Sequence, residues 1–167
     1  SKWDVSNVTT FKGMFYNTSG FSSTGILIIN NWDVSNAISM EEMFYGAQFP
    51  KYEIYDWDVS KVKNFRQMFY KSNFNEPIGD WDVSSATDMS SMFGARIRTP
   101  YAPFNQDISN WDVSNVINMV GMFATSRFNQ DLSSWNVSNV TKCRFFADNT
   151  PFWTLPKPNL VDCQNDE

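Results

Sequence analysis

The chain has 167 residues, 42% of them apolar and 19% charged, which is long enough for one domain and too apolar for a disordered one. A formal charge of −5 and a pI near 4.7 argue against a nucleic-acid or anionic-membrane binder, since both need a Lys/Arg surface. The absence of histidine removes His-based triads, His metal ligands and a histidine pH switch, and two cysteines cannot build a four-thiolate zinc site.

The longest apolar run, residues 26–29, is too short to span a membrane. The opening residues do not read as a signal peptide, so any export signal is expected to be removed or to lie outside this sequence.

The chain repeats itself. Trp-Asp-Val-Ser begins at Trp3, Trp32, Trp57, Trp81 and Trp111, and Trp-Asn-Val-Ser begins at Trp135. Eleven residues after each of the first five tryptophans comes Met-Phe: Met14-Phe15, Met43-Phe44, Met68-Phe69, Met92-Phe93 and Met122-Phe123. The sixth copy has Phe146-Ala147 there. The Trp-to-Met segment keeps its length while the return stretches twice, at residues 19–25 and 96–103. Stacked repeats behave in this way, because only an edge loop tolerates insertion.

With each Trp as position zero, the apolar template can be read in order. Position −3 is Ile29, Ile54, Ile78, Ile108 and Leu132; position +2 is Val throughout; position +5 is Val or Ala; position +8 is Phe11, Met40, Phe65, Met89, Met119 and then Cys143. Phe74, Phe104 and Phe128 recur at −7 in the later returns. Trp and the +2 Val share period two, which predicts a short strand with both inward and the intervening Asp outward. Positions +5, +8, +11 and +12 predict one face of a short helix. Ser at +3, or Thr9, Ser39 or Thr87 further on, is placed to cap it. The reading is an α/β repeat solenoid with a short parallel strand and a short helix in each coil of about 25 residues. Residues 1–147 form six coils, the first incomplete, and residues 148–167 a non-repeating cap and tail.

The string Phe104-Asn105-Gln106-Asp107-Ile108-Ser109-Asn110-Trp111-Asp112-Val113-Ser114-Asn115-Val116, followed by Asn118-Met119 and Met122-Phe123, is similar to the repeats of BspA-like bacterial surface proteins. These are also known as mycoplasma-type lipoprotein repeats, a family of unknown function. Ile108, Trp111, Val113 and Val116 further resemble the skeleton of a leucine-rich repeat. The resemblance implies an extracellular or cell-surface scaffold for adhesion or protein interaction, and no catalytic residue. Cys143 and Phe146-Ala147 depart from the pattern, which implies a modified last coil.

The six tryptophans Trp3, Trp32, Trp57, Trp81, Trp111 and Trp135 are expected to form one continuous buried ladder. The outward +1 positions, Asp4, Asp33, Asp58, Asp82, Asp112 and Asn136, would lie close together, and close carboxylates repel. Bonds from each Asp to the following turn relieve this. A cation held by Asp33, Asp58, Asp82 and Asp112, or an acidic stripe facing a partner, are the alternatives. Ser at +3, with no histidine and no regular lysine beside it, reads as a hydroxyl row ending the strand and not as a nucleophile.

Tyr16, Tyr45 and Tyr70 follow Met-Phe in the first three coils and read either as half-buried packing or as an exposed binding strip. Arg96, Arg98 and Tyr101 in the second long return are candidates for a contact loop, against a merely tolerated insertion. Asn7, Asn17, Asn136 and Asn139 lie in N-x-Ser/Thr sequons, which carry glycans in a eukaryotic secretory route. Cys143 and Cys163 lie 20 residues apart. A disulfide pinning the tail to the last coil is the first reading, and two free buried thiols the other.

The function expected is therefore an extracellular or cell-surface module that binds protein or glycan, without catalysis and without a cofactor. The alternative is a structural subunit that self-associates end to end into a filament, suggested by a first coil that lacks the preceding return. Nucleic acid and a membrane span are not expected.

Overall fold

A computed structural model describes residues 3–19, 29–97, 100–161 and 163. These residues contain no helix, and their strand pairing consists of isolated parallel bridges. The expected α/β solenoid, with a leucine-rich-repeat-like strand and helix in each coil, is therefore incorrect. The correction lies in where the backbone hydrogen bonds go.

Successive coils pair at position +7, through bridges Thr10–Ser39, Ser39–Asn64, Asn64–Asp88, Asp88–Asn118 and Asn118–Lys142. Beyond +7, the N–H groups at +8, +10, +12 and +14 each donate to a carbonyl of the next coil. In the second coil these are Met40 to Asn64, Glu42 to Arg66, Phe44 to Met68 and Gly46 to Tyr70, at 2.7–2.9 Å. The N–H groups at +11 and +13 turn back three residues within their own coil, as in Met43 to Met40 and Tyr45 to Glu42, and the one at +9 donates to the +7 side chain, as in Glu41 to Ser39 Oγ. A helix would return every N–H four residues along its own chain. Here half of them leave for the neighbour, so no helix forms.

Alternating bonds of this kind require a reversal of backbone hand. Position +10 has positive φ in all six coils: Gly13, Glu42, Gln67, Ser91, Gly121 and Phe145. Position +14 repeats it at Asn17, Gly46, Lys71, Thr125 and Asn149. Each is the third residue of a four-residue turn, where type II geometry places positive φ. The spacing at +5, +8, +11 and +12 thus arises from consecutive turns that happen to aim the same residues inward.

The Trp-x-Val stretch is extended and flanked by turns, Trp32 to Ile29 before it and Ala37 to Val34 after it. Its coils are linked by side chains. The indole N–H groups of Trp57, Trp81, Trp111 and Trp135 donate to Ile29, Ile54, Ile78 and Ile108, each at −3 of the coil before, at 3.0–3.2 Å. On the return, Asn105 N–H donates to Asn75 Oδ1 and Asn129 N–H to Asn105 Oδ1. Gln106 and Gln130 add amide bonds to the same asparagines.

The interior is mainly apolar and includes the five indoles from Trp32 to Trp135, with Ser72, Ser90, Thr125 and Ser126 as its buried polar residues among those described. Trp3 is the exception to the expected ladder. It is 65% exposed, because Trp32 covers one ring face, 6.2 Å away, and no described coil lies on the other. The rings that stack without interruption are the +12 phenylalanines. Phe15, Phe44, Phe69, Phe93 and Phe123 follow one another at 5.3–5.8 Å. Phe74, Phe104 and Phe128 form a second column beside them.

The tail closes this stack by imitating one more return. Thr154 N–H reaches Asn129 Oδ1 across 25 residues, as Asn129 reaches Asn105 across 24. Trp153 sets its ring edge-on to Phe128 and donates to the Gln130 carbonyl. A disulfide joins Cys143 to Cys163, so neither cysteine is a free thiol.

Candidate functional site

The acidic row is committed to the fold. In each coil the +1 oxygen accepts from the +3 serine: Ser6 to Asp4, Ser35 to Asp33 and Ser60 to Asp58 donate through both hydroxyl and N–H. Ser84 and Ser114 N–H serve Asp82 and Asp112 in the same way, and Ser138 serves Asn136. The serine hydroxyl and then its N–H hold Asp4, Asp33, Asp58 and Asp112 below the ordinary carboxylate range. Asp107 and Asp131, at −4, repeat the device on Ser109 and Ser133. No group of three or more metal-ligating side chains exists among the described residues. At Asp33, Asp58, Asp82 and Asp112 the Oδ1 oxygen is engaged in its own turn.

The tyrosine strip lies at +13. Tyr16 and Tyr45 stack at 4.5 Å, and Tyr45 and Tyr70 lie 5.2 Å apart with a 37° tilt. Lys71 Nζ sits 5.6 Å from the Tyr45 ring and 5.9 Å from the Tyr70 ring. Burial comes first, and the neighbouring Tyr45 next, in raising the hydroxyl pKa of both Tyr16 and Tyr70. Tyr45 is covered on both faces and offers its edge and hydroxyl, whereas Tyr16, at the end of the strip, stacks on Tyr45 and is 46% exposed. Position +13 then becomes Gly94, Ala124 and Asp148. A Cβ on Gly94 would crowd the Gly121 carbonyl at 2.9 Å and the Tyr70 ring at 3.4 Å. The strip therefore stops there, and a shallow hollow of about 430 Å³ opens beyond it, with Arg96, Ile97 and Phe145 on its rim.

The second long return folds back on the stack. Ala102 bridges to Ser126, with Ala102 N–H on Thr125 and Arg127 N–H on Ala102. This brings Tyr101 against Phe152, 5.3 Å away and edge-on, and Arg127 lies 5.6 Å from the Phe152 ring on the cation–π side. Between this insert and the coil edge is a hollow of about 510 Å³, lined among others by Gln48, Lys71, Asn73, Pro100, Tyr101 and Arg127. Arg98 and most of residues 19–25 lie outside the described residues.

The sequons differ in what their amides already do. Asn139 Nδ2 donates to the Ser114 carbonyl at 2.7 Å, and Asn136 Oδ1 accepts from Ser138. Asn7 and Asn17 are exposed, and Asn17 packs over Gly46 with φ 51°.

Lys71, Arg127 and Phe152 were not singled out by the sequence. A signal was present for one of them, because Gln48, Asn73 and Arg127 all fall at +16. Lys71 and Phe152 join them only through the fold of the insert and the tail.

The six-fold frame on which these surfaces sit matches a family model described as "Mycoplasma protein of unknown function, DUF285", over residues 1–100 and again over 96–155. The chain belongs to this family. No curated protein and no solved structure matches it. Among the described residues, no helix of this DUF285 chain is long and apolar enough to cross a membrane.

Proposed function

We propose that this chain is a non-catalytic, BspA-like extracellular or cell-surface module that binds a protein or glycan partner. The contact edge is the one carrying Tyr16, Tyr45, Tyr70, Arg96 and Tyr101. The observation that carries this reading is the uneven use of polar groups. The Asp/Ser face is committed to its own turns. The tyrosine edge holds exposed aromatic and aliphatic surface at Tyr16, Ile97 and Phe145, and a rigid scaffold that positions variable loops suits recognition. The absence of catalysis is supported by chemistry. No histidine is present, both thiols are in a disulfide, and the hydroxyls of Ser6, Ser35 and Ser60 donate to carboxylates that the same bonds keep ionised.

Attachment of beads coated with this chain to cells and to immobilised glycans tests the reading. Tyr45→Ser combined with Tyr101→Ser is expected to abolish attachment without unfolding the chain. Attachment equal to the parent by a folded double variant would remove the edge from consideration.

A further inference from the structure

We propose that the hollow between the 96–103 insert and the coil edge binds a carboxylate-bearing sugar, of the hexuronic acid class. The chain is acidic overall, yet no carboxylate lines this hollow and two cations do, Lys71 and Arg127. Neither cation forms an ion pair with a carboxylate among the described residues. Lys71 rests on the tyrosine rings and Arg127 on Phe152. Those contacts orient the two side chains while leaving their N–H donors for a ligand. A carboxylate is the group that satisfies such donors most strongly.

The surrounding groups favour a sugar over a peptide. A peptide added as a strand needs an unbroken run of free backbone groups, and at Lys71 and Ala102 both groups are taken. Lys71 N–H goes to Gly94 and its carbonyl to Gln48 Nε2. Both backbone groups of Ala102 pair with the following coil. Asn73 is taken by Phe49 and Tyr52. Of the side-chain polar atoms at the hollow, the Gln48 amide oxygen and the Tyr101 hydroxyl remain. They have no partner among the described residues and suit sugar hydroxyls. Pro100, Pro103 and the Tyr101 ring supply apolar wall for a sugar's C–H face.

This inference rests on the reading of the chain as a binding module, but it fails separately. A chain that attaches to cells and binds no uronate keeps that reading and loses this site. The experiment is a titration of the isotopically labelled chain with sodium glucuronate, following the amide signals of Lys71, Tyr101 and Arg127, with glucose and N-acetylglutamate as parallel probes. Glucuronate is expected to shift those signals saturably and glucose not. Lys71→Gln and Arg127→Gln are each expected to weaken binding about tenfold or more, the loss of one charge-assisted hydrogen bond, with melting temperature unchanged. Arg127→Lys, which keeps the charge, should retain binding, and added salt should weaken it. Equal shifts from glucose, or unchanged affinity in both glutamine variants, would overturn the site. N-acetylglutamate binding as tightly as glucuronate would overturn the sugar assignment.

Discussion

Replacing Gly121 with alanine separates a coil built of turns from one built around a helix. Gly121 sits at +10 with φ +61°. An alanine Cβ there would meet Ser91 Oγ at 3.3 Å and Ala124 Cβ at 3.8 Å, so space is tight but yields to a small hydroxyl movement. The main cost is conformational, about 1–2 kcal/mol for holding an L-residue in the left-handed region. Were the same residue inside a helix, alanine would stabilise by about 1 kcal/mol. The two structures therefore predict opposite signs. For a domain of this size, each kcal/mol moves the melting temperature by roughly 2–4 °C, so Gly121→Ala is expected to lower it by about 2–8 °C. Gln67→Gly is the reciprocal variant. Gln67 has φ 54° at the same offset, so glycine relieves strain and offsets its own entropy cost. It should be neutral or slightly stabilising, where a helix would lose about 1 kcal/mol. Thermal and urea unfolding of the two variants measure both effects. A Gly121→Ala protein that melts higher than the parent would refute the turn architecture.

Trp81→Ala should cost about 3–5 kcal/mol by urea unfolding, since the indole is 4% exposed, stacks on Phe65 and bonds Ile54; an unchanged midpoint would contradict its burial. Reducing the Cys143–Cys163 bond releases a loop of 20 residues and should cost roughly 3 kcal/mol, read as a drop in melting temperature on adding reductant; no drop would mean that the tail holds without it. Acid should weaken the fold in a defined window. The folded carboxyls of Asp4, Asp33, Asp58, Asp107, Asp112 and Asp131 lie below their ordinary 3.8. Their contribution is thus complete above that value and lost as pH falls through the lower folded ones. Melting temperature should hold down to about pH 4 and fall below it, more shallowly in a variant with Ser6, Ser35 and Ser60 changed to Ala; a fall already complete at pH 5 would point to other groups.

Which residues face inward was legible in the sequence, because burial repeats with the coil: the Trp and the positions −3, +2, +5 and +8 recur at fixed offsets and are buried in the central coils. The bonding was not, because apolar spacings of three, three and one suit a helix and a run of turns equally. A sharper local signal was present at Gly13 and Gly121 at +10, and at Asn17, Gly46 and Asn149 at +14, residue types that tolerate positive φ. The tyrosine strip could be read as a row from its shared +13 offset, whereas its stacking and its end at Gly94 could not.

The sequence by itself determined the frame: six copies, an apolar inner set, polar residues spaced two apart that form their own turns, and two places where the return lengthens. Those features depend on side-chain chemistry and short separations. Only the tertiary structure decided that alternate N–H groups cross to the next coil, that Phe15 to Phe123 and not the indoles form the unbroken ring column, and that Lys71 and Arg127 line one hollow. Each of those outcomes joins groups about a coil or more apart in the chain. Their partners are set by how the coils stack, and a single coil carries no record of it.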